Sequence, residues 1–244
     1  MRVLHDLPLC GAENMARDEA LLDRVGDGSS PPTLRLYQWD PPTISLGYFQ
    51  KYADYESLDP PAGELAVVRR PTGGGAILHD LELTYSIIIP ATDPLLGRGP
   101  NHLYEIAHDV VIDCLAAIDV TVHRGGETDD STPTRGPFFC FARRHKFDVL
   151  LGSDKLAGSA QRRTRSGVLQ HGSIVLANRF EQQPTAILAQ DFESAVAHLR
   201  TEFVRLFAER TEISCEIGEW TAEELYAAKN LVPKHAGDEW VKRT

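Results

Sequence analysis

The chain has 244 residues, 42% of them apolar and 25% charged, with a formal net charge of −10 and four cysteines. A chain of this size buries roughly 70–75% of its unfolded surface without a metal or disulfide staple, so one domain over 1–244 is the expectation. The acidic balance excludes nucleic acid as the main partner, because phosphate binding needs clustered cations. No run approaches the ~20 apolar residues of a membrane span, and the opening residues lack the apolar stretch of a secretory signal. No membrane partner and a cytoplasmic location follow as expectations. Cys10, Cys114, Cys140 and Cys215 form no CxxC pair and no Cys/His zinc spacing, which points to free thiols and no metal site.

In chain order, residues 13–25 predict a helix that ends in a loop from Gly26 to Pro32. Short β-rich runs follow at 33–39 and 43–49, parted by Pro41 and Pro42. A strand at 65–70 runs into the glycine turn 72–75, and 83–89 predict a buried strand that stops at Pro90. Over 101–118, Leu103, Ile106, Val110, Val111, Cys114, Leu115 and Ile118 share one helical face, which reads Cys114 as core packing. A loop rich in Gly, Asp, Thr and Pro spans 124–137. Residues 146–151, a turn at 152–154 and residues 155–161 predict a β-hairpin, with another strand at 167–176. Helices over about 191–210 and 221–231 close the chain, the second opening with a Thr221/Glu224 capping box. Strands and helices do not alternate strictly, so the pattern favours an α+β fold with a largely antiparallel sheet.

Four segments stand out chemically. Arg69-Arg70-Pro71-Thr72-Gly73-Gly74-Gly75 runs on to His79 and Asp80, and three consecutive glycines let a ligand approach the main chain. Taken by itself, a glycine triplet reads first as a plain hairpin turn. It is no dinucleotide fingerprint, since no GxGxxG precedes a helix. Lys155 to Gln161 places the small residues Ala157, Gly158, Ser159 and Ala160 beside a lysine, leaving room for a chain-like apolar ligand; Lys155 is otherwise a solvated turn residue. His171 interrupts an apolar strand, either as a site residue or as a satisfied core histidine. Cys140 sits in the aromatic run Phe138-Phe139-Cys140-Phe141, just before Arg143-Arg144-His145-Lys146. That basic cluster and Arg162-Arg163-Thr164-Arg165 are either solvated faces or a docking patch for an acidic partner.

Taken together and in this order, RRPTGGGAILHD, KLAGSAQRR and LQHGSIVL resemble the motif set of the catalytic domain shared by lipoate–protein ligases, octanoyltransferases and biotin–protein ligases. NMARDEALL and PPTLRLYQWDPPTISLGYFQ are similar to that family in type and order, so the resemblance covers about residues 2–210. It implies an α+β domain with a mixed, largely antiparallel sheet flanked by helices and an acyl-binding tunnel. It also implies that Lys155 contacts the acyl carbonyl, and that Arg70, Gly73, Gly74, Gly75, His79, Gly158, Ser159, Ala160 and His171 bind substrate.

Two branches of the family need different chemistry. A ligase activates a free acid with ATP and Mg²⁺ and has no nucleophile, whereas a transferase takes an acyl thioester and needs one. Cys140 stands fifteen positions before Lys155 and is followed by Phe141, and this arrangement resembles the cysteine-dependent octanoyltransferases. That branch implies octanoyl acyl carrier protein as donor, a lipoyl domain or the glycine-cleavage H protein as acceptor, and no cofactor. Independently of the resemblance, a thiol with its ordinary pKa of ~8.5 is only a few per cent thiolate at neutral pH, and a cation beside it favours the reactive form. Lys155 is the candidate cation, and backbone N–H groups near Gly158–Ala160 are candidates for the oxyanion. An incidental cysteine in an ATP-dependent ligase, and a catalytically silent acyl-binding protein, are the alternatives.

Overall fold

A computed structural model describes residues 1–126 and 137–243. The polar loop expected at 124–137 therefore falls mostly outside the described residues. The elements run β1 (Arg2–His5), α1 (Gly11–Gly26), β2 (Thr33–Tyr37), β3 (Thr43–Leu46), α2 (Tyr52–Glu56), β4 (Ala66–Arg69), β5 (Ile77–His79), β6 (Glu82–Pro90), α3 (His102–Ala116) and β7 (His123–Arg124). They continue with β8 (Val149–Leu151), β9 (Asp154–Arg163), β10 (Gly167–Val175), α4 (Phe192–Thr211), β11 (Glu216–Ile217), α5 (Ala222–Ala236) and α6 (Asp238–Val241).

The main sheet has eight strands in the order β11-β1-β2-β6-β10-β9-β8-β7. β1 is parallel to β2 and β11, and every other pairing in that sheet is antiparallel. A second sheet, β4-β3-β5, pairs β3 parallel with β4 and antiparallel with β5. The α+β class and the antiparallel bias match the sequence reading. The short strands β1, β5, β7 and β11 escape it, because two to four residues carry too few positions for a period-2 pattern to emerge. The strand expected over 43–49 stops at Leu46, because the chain must turn at Gly47 past the glycine loop. A Cβ at Gly47 would lie 2.0 Å from the Gly74 carbonyl oxygen, so only glycine fits there. The last long helix continues past 231 to Ala236 with Pro233 inside it, and α6 follows.

Both faces of the central strands are covered, which explains why β6 is buried along its length up to Ile89. Leu83, Tyr85, Ile87 and Ile89 face a core shared with α3 and α4, where Tyr85 packs on Phe203 with ring centroids 4.9 Å apart. Cys114 is fully buried there, and burial pushes its thiol up to about 12. On the opposite face Ile88 and Leu169 pack against Leu21 and Leu22 of α1.

α1 also carries a buried carboxylate into the sheet. Asp18 accepts from Arg35 Nη1 at 2.8 Å, Tyr37 Oη at 3.0 Å and Ser86 Oγ at 2.9 Å, and lies 3.1 Å from His171 Nδ1. Burial alone would raise its pKa, but the His171 contact and the Arg35 charge outweigh that and hold it below the ordinary value. The C-terminal elements brace the second sheet. Arg69, at the end of β4, donates to the Val241 carbonyl at 2.8 Å, and Trp240 Nε1 returns a bond to the Arg69 carbonyl at 2.8 Å.

α5 is anchored by the capping box expected from its sequence, with Glu224 also accepting from Arg2 at 2.6 Å and Ser30 at 2.6 Å. Burial works to raise the Glu224 pKa, yet the bonds from Arg2, Ser30 and the Thr221 amide hold it down at about 2, against an ordinary 4.5. A depressed carboxyl stabilises the fold above its unfolded pKa, and that contribution is lost as pH falls towards the folded one. Stability measured by urea unfolding is expected to decline between pH 4.5 and about 2, and Glu224→Gln to flatten that limb. An unchanged limb in the variant would assign the acid sensitivity to other carboxylates.

Candidate active site

The glycine loop that follows β4 is shaped by one buried guanidinium. Arg70 donates to the Ser45 carbonyl at 2.8 Å, the Gly73 carbonyl at 2.8 Å and the Gly75 carbonyl at 2.7 Å. Gly74 takes φ +98°, and a Cβ there would sit 2.9 Å from Arg70 Nη2. Burial lowers the Arg70 pKa to about 10, opposed in part by the charge of Cys140. No carboxylate is among its hydrogen-bond partners, and its Nε is buried without one among the described residues. The guanidinium therefore leaves positive potential on this side of the site.

His79 and Ser45 continue the same network. Glu82 Oε1 lies 2.7 Å from His79 Nδ1, Ser45 Oγ lies 2.7 Å from its Nε2, and Arg70 also donates to Ser45 Oγ at 3.2 Å. Burial lowers the His79 pKa against the pull of Glu82, and its ring stacks on Trp39 at 3.8 Å. His171 likewise has both ring nitrogens engaged, by Asp18 and by Thr72 Oγ1 at 2.7 Å. Both histidines are thus satisfied within the scaffold while bordering the cavity.

The loop is laced directly to the cysteine segment. The Ala76 amide donates to the Phe138 carbonyl at 2.9 Å, and the Cys140 amide donates to the Ala76 carbonyl at 2.7 Å. A Cβ on Gly75 would lie 3.0 Å from the Cys140 nitrogen, so the close approach of these strands needs glycine. Cys140 begins a short 3-10 turn to Ala142, flanked by buried Phe139 and Phe141.

Lys155 reaches this turn from β9. Its side chain is 4% exposed, so it is not the solvated turn lysine that its position in the hairpin allows. Its Nζ donates to Cys140 Sγ at 3.6 Å and lies 2.9 Å from Asp148 Oδ1. Burial acts to lower the lysine pKa, but the charges of Cys140 and Asp148 more than reverse this and hold it above its ordinary value, so it stays an ammonium. Asp148 is fixed in turn by the His145 amide, which donates to its Oδ2 at 2.7 Å. Gly158 makes the path possible: a Cβ there would lie 2.5 Å from Lys155 Cε and 2.7 Å from Nζ. β8 pairs with β9 only as far as Ala157, through a bulge at Val149/Leu150, and the Cys140 turn abuts β9.

Two cavities meet at the thiol. The inner one is predominantly apolar, with Met15, Tyr37, Trp39, Ile77 and Phe141 in its wall. The outer one is more open and polar, with Tyr104, His108, Arg143, Arg144 and His145 around it. Cys140, Lys155, Gly73, Gly74, Ser159 and Ala160 border both. Arg70, His79, Gly158 and His171 border the inner cavity, and Gly75 the outer, so each residue that the resemblance implied as catalytic or substrate-binding lines one of these two cavities.

Two neighbours escaped the sequence reading. Asp148 sits in the run KFDVLL, where an acid in an apolar strand is the available signal. His108 lies on α3 with no signal beyond being a polar residue amid apolar neighbours; it is buried, and its Nε2 lies 2.7 Å from Ser159 Oγ. Among the described residues no group of three His, Cys, Asp or Glu is arranged to hold a metal, and no helix is long and apolar enough to cross a membrane.

Gly158→Ala is expected to displace the Lys155 ammonium while leaving the hairpin intact. Alkylation of Cys140 by iodoacetamide at pH 7, read by peptide mass, should slow about tenfold for each ~1.4 kcal/mol of thiolate stabilisation lost. An unchanged rate would show that the ammonium does not act on the sulfur.

A family model described as the lipoyl protein ligase A/B catalytic domain matches residues 10–211. Octanoyltransferase LipM of Kyrpidia tusciae is 34% identical over 98% of this chain and 97% of its own. Octanoyltransferase LipM of Moorella thermoacetica is 34% identical over 94% of this chain and 93% of its own. Among solved structures, lipoate-protein ligase A bound with ATP aligns with a TM-score of 0.76 at 22% identity, covering 99% of this chain and 98% of that one. The bi-partite lipoate protein ligase of Thermoplasma acidophilum gives 0.70 at 20%, covering 99% and 95%. At such identities the structures establish the fold, whereas relatives named as octanoyltransferases along nearly the whole chain establish an acyltransferase. The chain belongs to the lipoyl protein ligase A/B catalytic-domain family.

Proposed function

We propose that this chain moves an octanoyl group from acyl carrier protein, through a thioester on Cys140, to a lysine of a lipoyl domain or of the glycine-cleavage H protein. The observation that carries this reading is the position of the sulfur: 3.6 Å from a buried ammonium, where an apolar cavity meets a polar one. The inner cavity takes the acyl chain, and the outer one admits in turn the donor and the acceptor.

The steps follow from the groups present. Cys140, as thiolate stabilised by the Lys155 ammonium, attacks the donor thioester carbon. The carbonyl electrons move to oxygen, and the Lys155 N–H together with a backbone amide of Gly158–Ala160 left unpaired by β10 would receive the charge. Collapse expels the donor thiolate and leaves acyl-Cys140. The acceptor lysine then attacks the same carbon, the sulfur departs with its bonding electrons, and an amide results. Exchange between thioesters is nearly isoenergetic and thioester to amide is downhill, so the route consumes no ATP. Octanoyl as the acyl group is supported by the relatives named as octanoyltransferases. A lipoyl domain as acceptor is supported by the T. acidophilum ligase, which is described with its E2 lipoyl domain.

Incubation with octanoyl acyl carrier protein in the absence of ATP should add one hydroxylamine-labile octanoyl group to the intact mass, and Cys140→Ala should abolish it. An unmodified protein that lipoylates an acceptor only with ATP and free lipoate would instead be a ligase. Arg144, exposed on the rim of the outer cavity, and the exposed Lys146 two residues on are read as a dock for the acidic carrier, by local charge steering. Reversing both to glutamate should raise KM for the carrier severalfold and weaken the salt dependence of kcat/KM. Unchanged values would leave these residues as solvated surface.

A further inference from the structure

The groups around Cys140 are rich in donors and poor in acceptors. The Lys155 ammonium and the Arg70 guanidinium only donate. Each oxygen of Asp148, the carboxylate beside the sulfur, already accepts one bond, from Lys155 and from the His145 amide. Donors suit an oxyanion. An attacking amine needs the opposite, because its nitrogen must send its lone pair at the carbonyl carbon while its N–H groups find acceptors.

One acceptor on the cavity wall is oriented. His108 Nδ1 is hydrogen-bonded to the Phe147 carbonyl, and since a carbonyl only accepts, Nδ1 carries the proton. Nε2 is then the lone-pair nitrogen, and the Ser159 hydroxyl donates to it at 2.7 Å. Burial, with the nearby charge of Lys155, lowers the His108 pKa to about 4, against support from the Phe147 carbonyl, so the ring stays neutral at physiological pH. The single proton of Ser159 is therefore committed to His108, and the Ser159 oxygen is left as an acceptor, with the buried Tyr85 hydroxyl as its other hydrogen-bonding neighbour. Ser159 borders both cavities together with Cys140 and Lys155, and His108 borders the outer one.

We propose that Ser159 accepts a hydrogen bond from the N–H of the attacking lysine amine, and that His108 is the positioning residue that turns the Ser159 hydroxyl to do so. This inference rests on the acyl-Cys140 reading and assigns its second half-reaction. The neutral amine attacks the thioester carbon of acyl-Cys140. The C–N bond forms, the C–S bond breaks with its electron pair going to sulfur, and the proton released from nitrogen ends on that sulfur. Amide and free Cys140 thiol are the products, so no further reactant is needed. His108 keeps its tautomer throughout.

The test separates the half-reactions with the full chain. Octanoyl acyl carrier protein loads Cys140, followed by rapid-quench intact mass, and a lipoyl domain is then added for a single turnover. In Ser159→Ala the ratio of transfer rate to loading rate is expected to fall ~tenfold or more, Ser159→Thr to restore it by returning the hydroxyl, and His108→Gln to lower it. A merely structural role would slow both half-reactions alike and leave the ratio unchanged, which overturns the proposal, as does Ser159→Ala transferring at the wild-type ratio. Should His108→Gln fail to fold, the Ser159 pair decides by itself. Absence of acyl loading in the wild-type chain would instead overturn the Cys140 reading, an outcome distinct from any change in ratio.

Discussion

An ammonium with almost no solvent exposure stands at the centre of this site, and its survival there is what the surrounding structure has to secure. A buried lysine left alone sheds its proton, because the charged form is penalised in a medium of low polarity. Lys155 keeps it because Asp148 at 2.9 Å and the Cys140 sulfur at 3.6 Å lie on either side. The arrangement is contingent on backbone details that have little chemistry of their own. Gly158 leaves the channel through which the side chain passes, the bulge between β8 and β9 offsets the two strands beside it, and the His145 amide fixes the carboxylate. A methyl group at 158 would occupy the place of the ammonium.

Two further buried networks hold the walls that face this ammonium. Asp18 joins α1 to Arg35, Tyr37, Ser86 and His171, and through His171 to Thr72 of the glycine loop. Glu82 joins β6 to His79, and through Ser45 to Arg70. Buried polar networks specify geometry when each member is satisfied, and here the histidines that border the cavity are members of the frame. Arg70 differs, because its charge has no carboxylate among its bonds. The loop carbonyls orient it but do not neutralise it, and the excess positive potential would suit the negative charge that the proposed acyl exchange moves from sulfur to carbonyl oxygen.

The apolar wall lies inward of Cys140 and the polar one outward, so the thiol stands where a fatty chain and a protein-borne carrier or acceptor would meet. Donors gather around the sulfur, while the oriented acceptor, Ser159, is backed by a histidine from a different layer of the fold. That separation is what the proposed succession of oxyanion and amine binding would require. It arises because β9 runs past the end of β8, so that one strand presents Lys155, Gly158, Ser159 and Ala160 to a shared space.

Much of this was legible in the amino-acid sequence. The long helices, the hairpin with its turn at 152–154, the capping box at Thr221 and the core role of Cys114 all follow from periodicity and local chemistry, which act over a few residues. The glycine, lysine and histidine segments and the Cys140–Lys155 spacing were readable as a family pattern, and the residues so marked converge on one site. Only the tertiary structure decided which lysine is buried, which carboxylate keeps it charged and which histidine stands behind Ser159. Lys155 in a hairpin reads as solvated, Asp148 as a stray acid in a strand, and His108 as one position on an apolar helix. Burial and charge partnership are set by contacts between segments far apart in the chain, such as the 51 positions between His108 and Ser159, and local sequence holds no record of that distance closing.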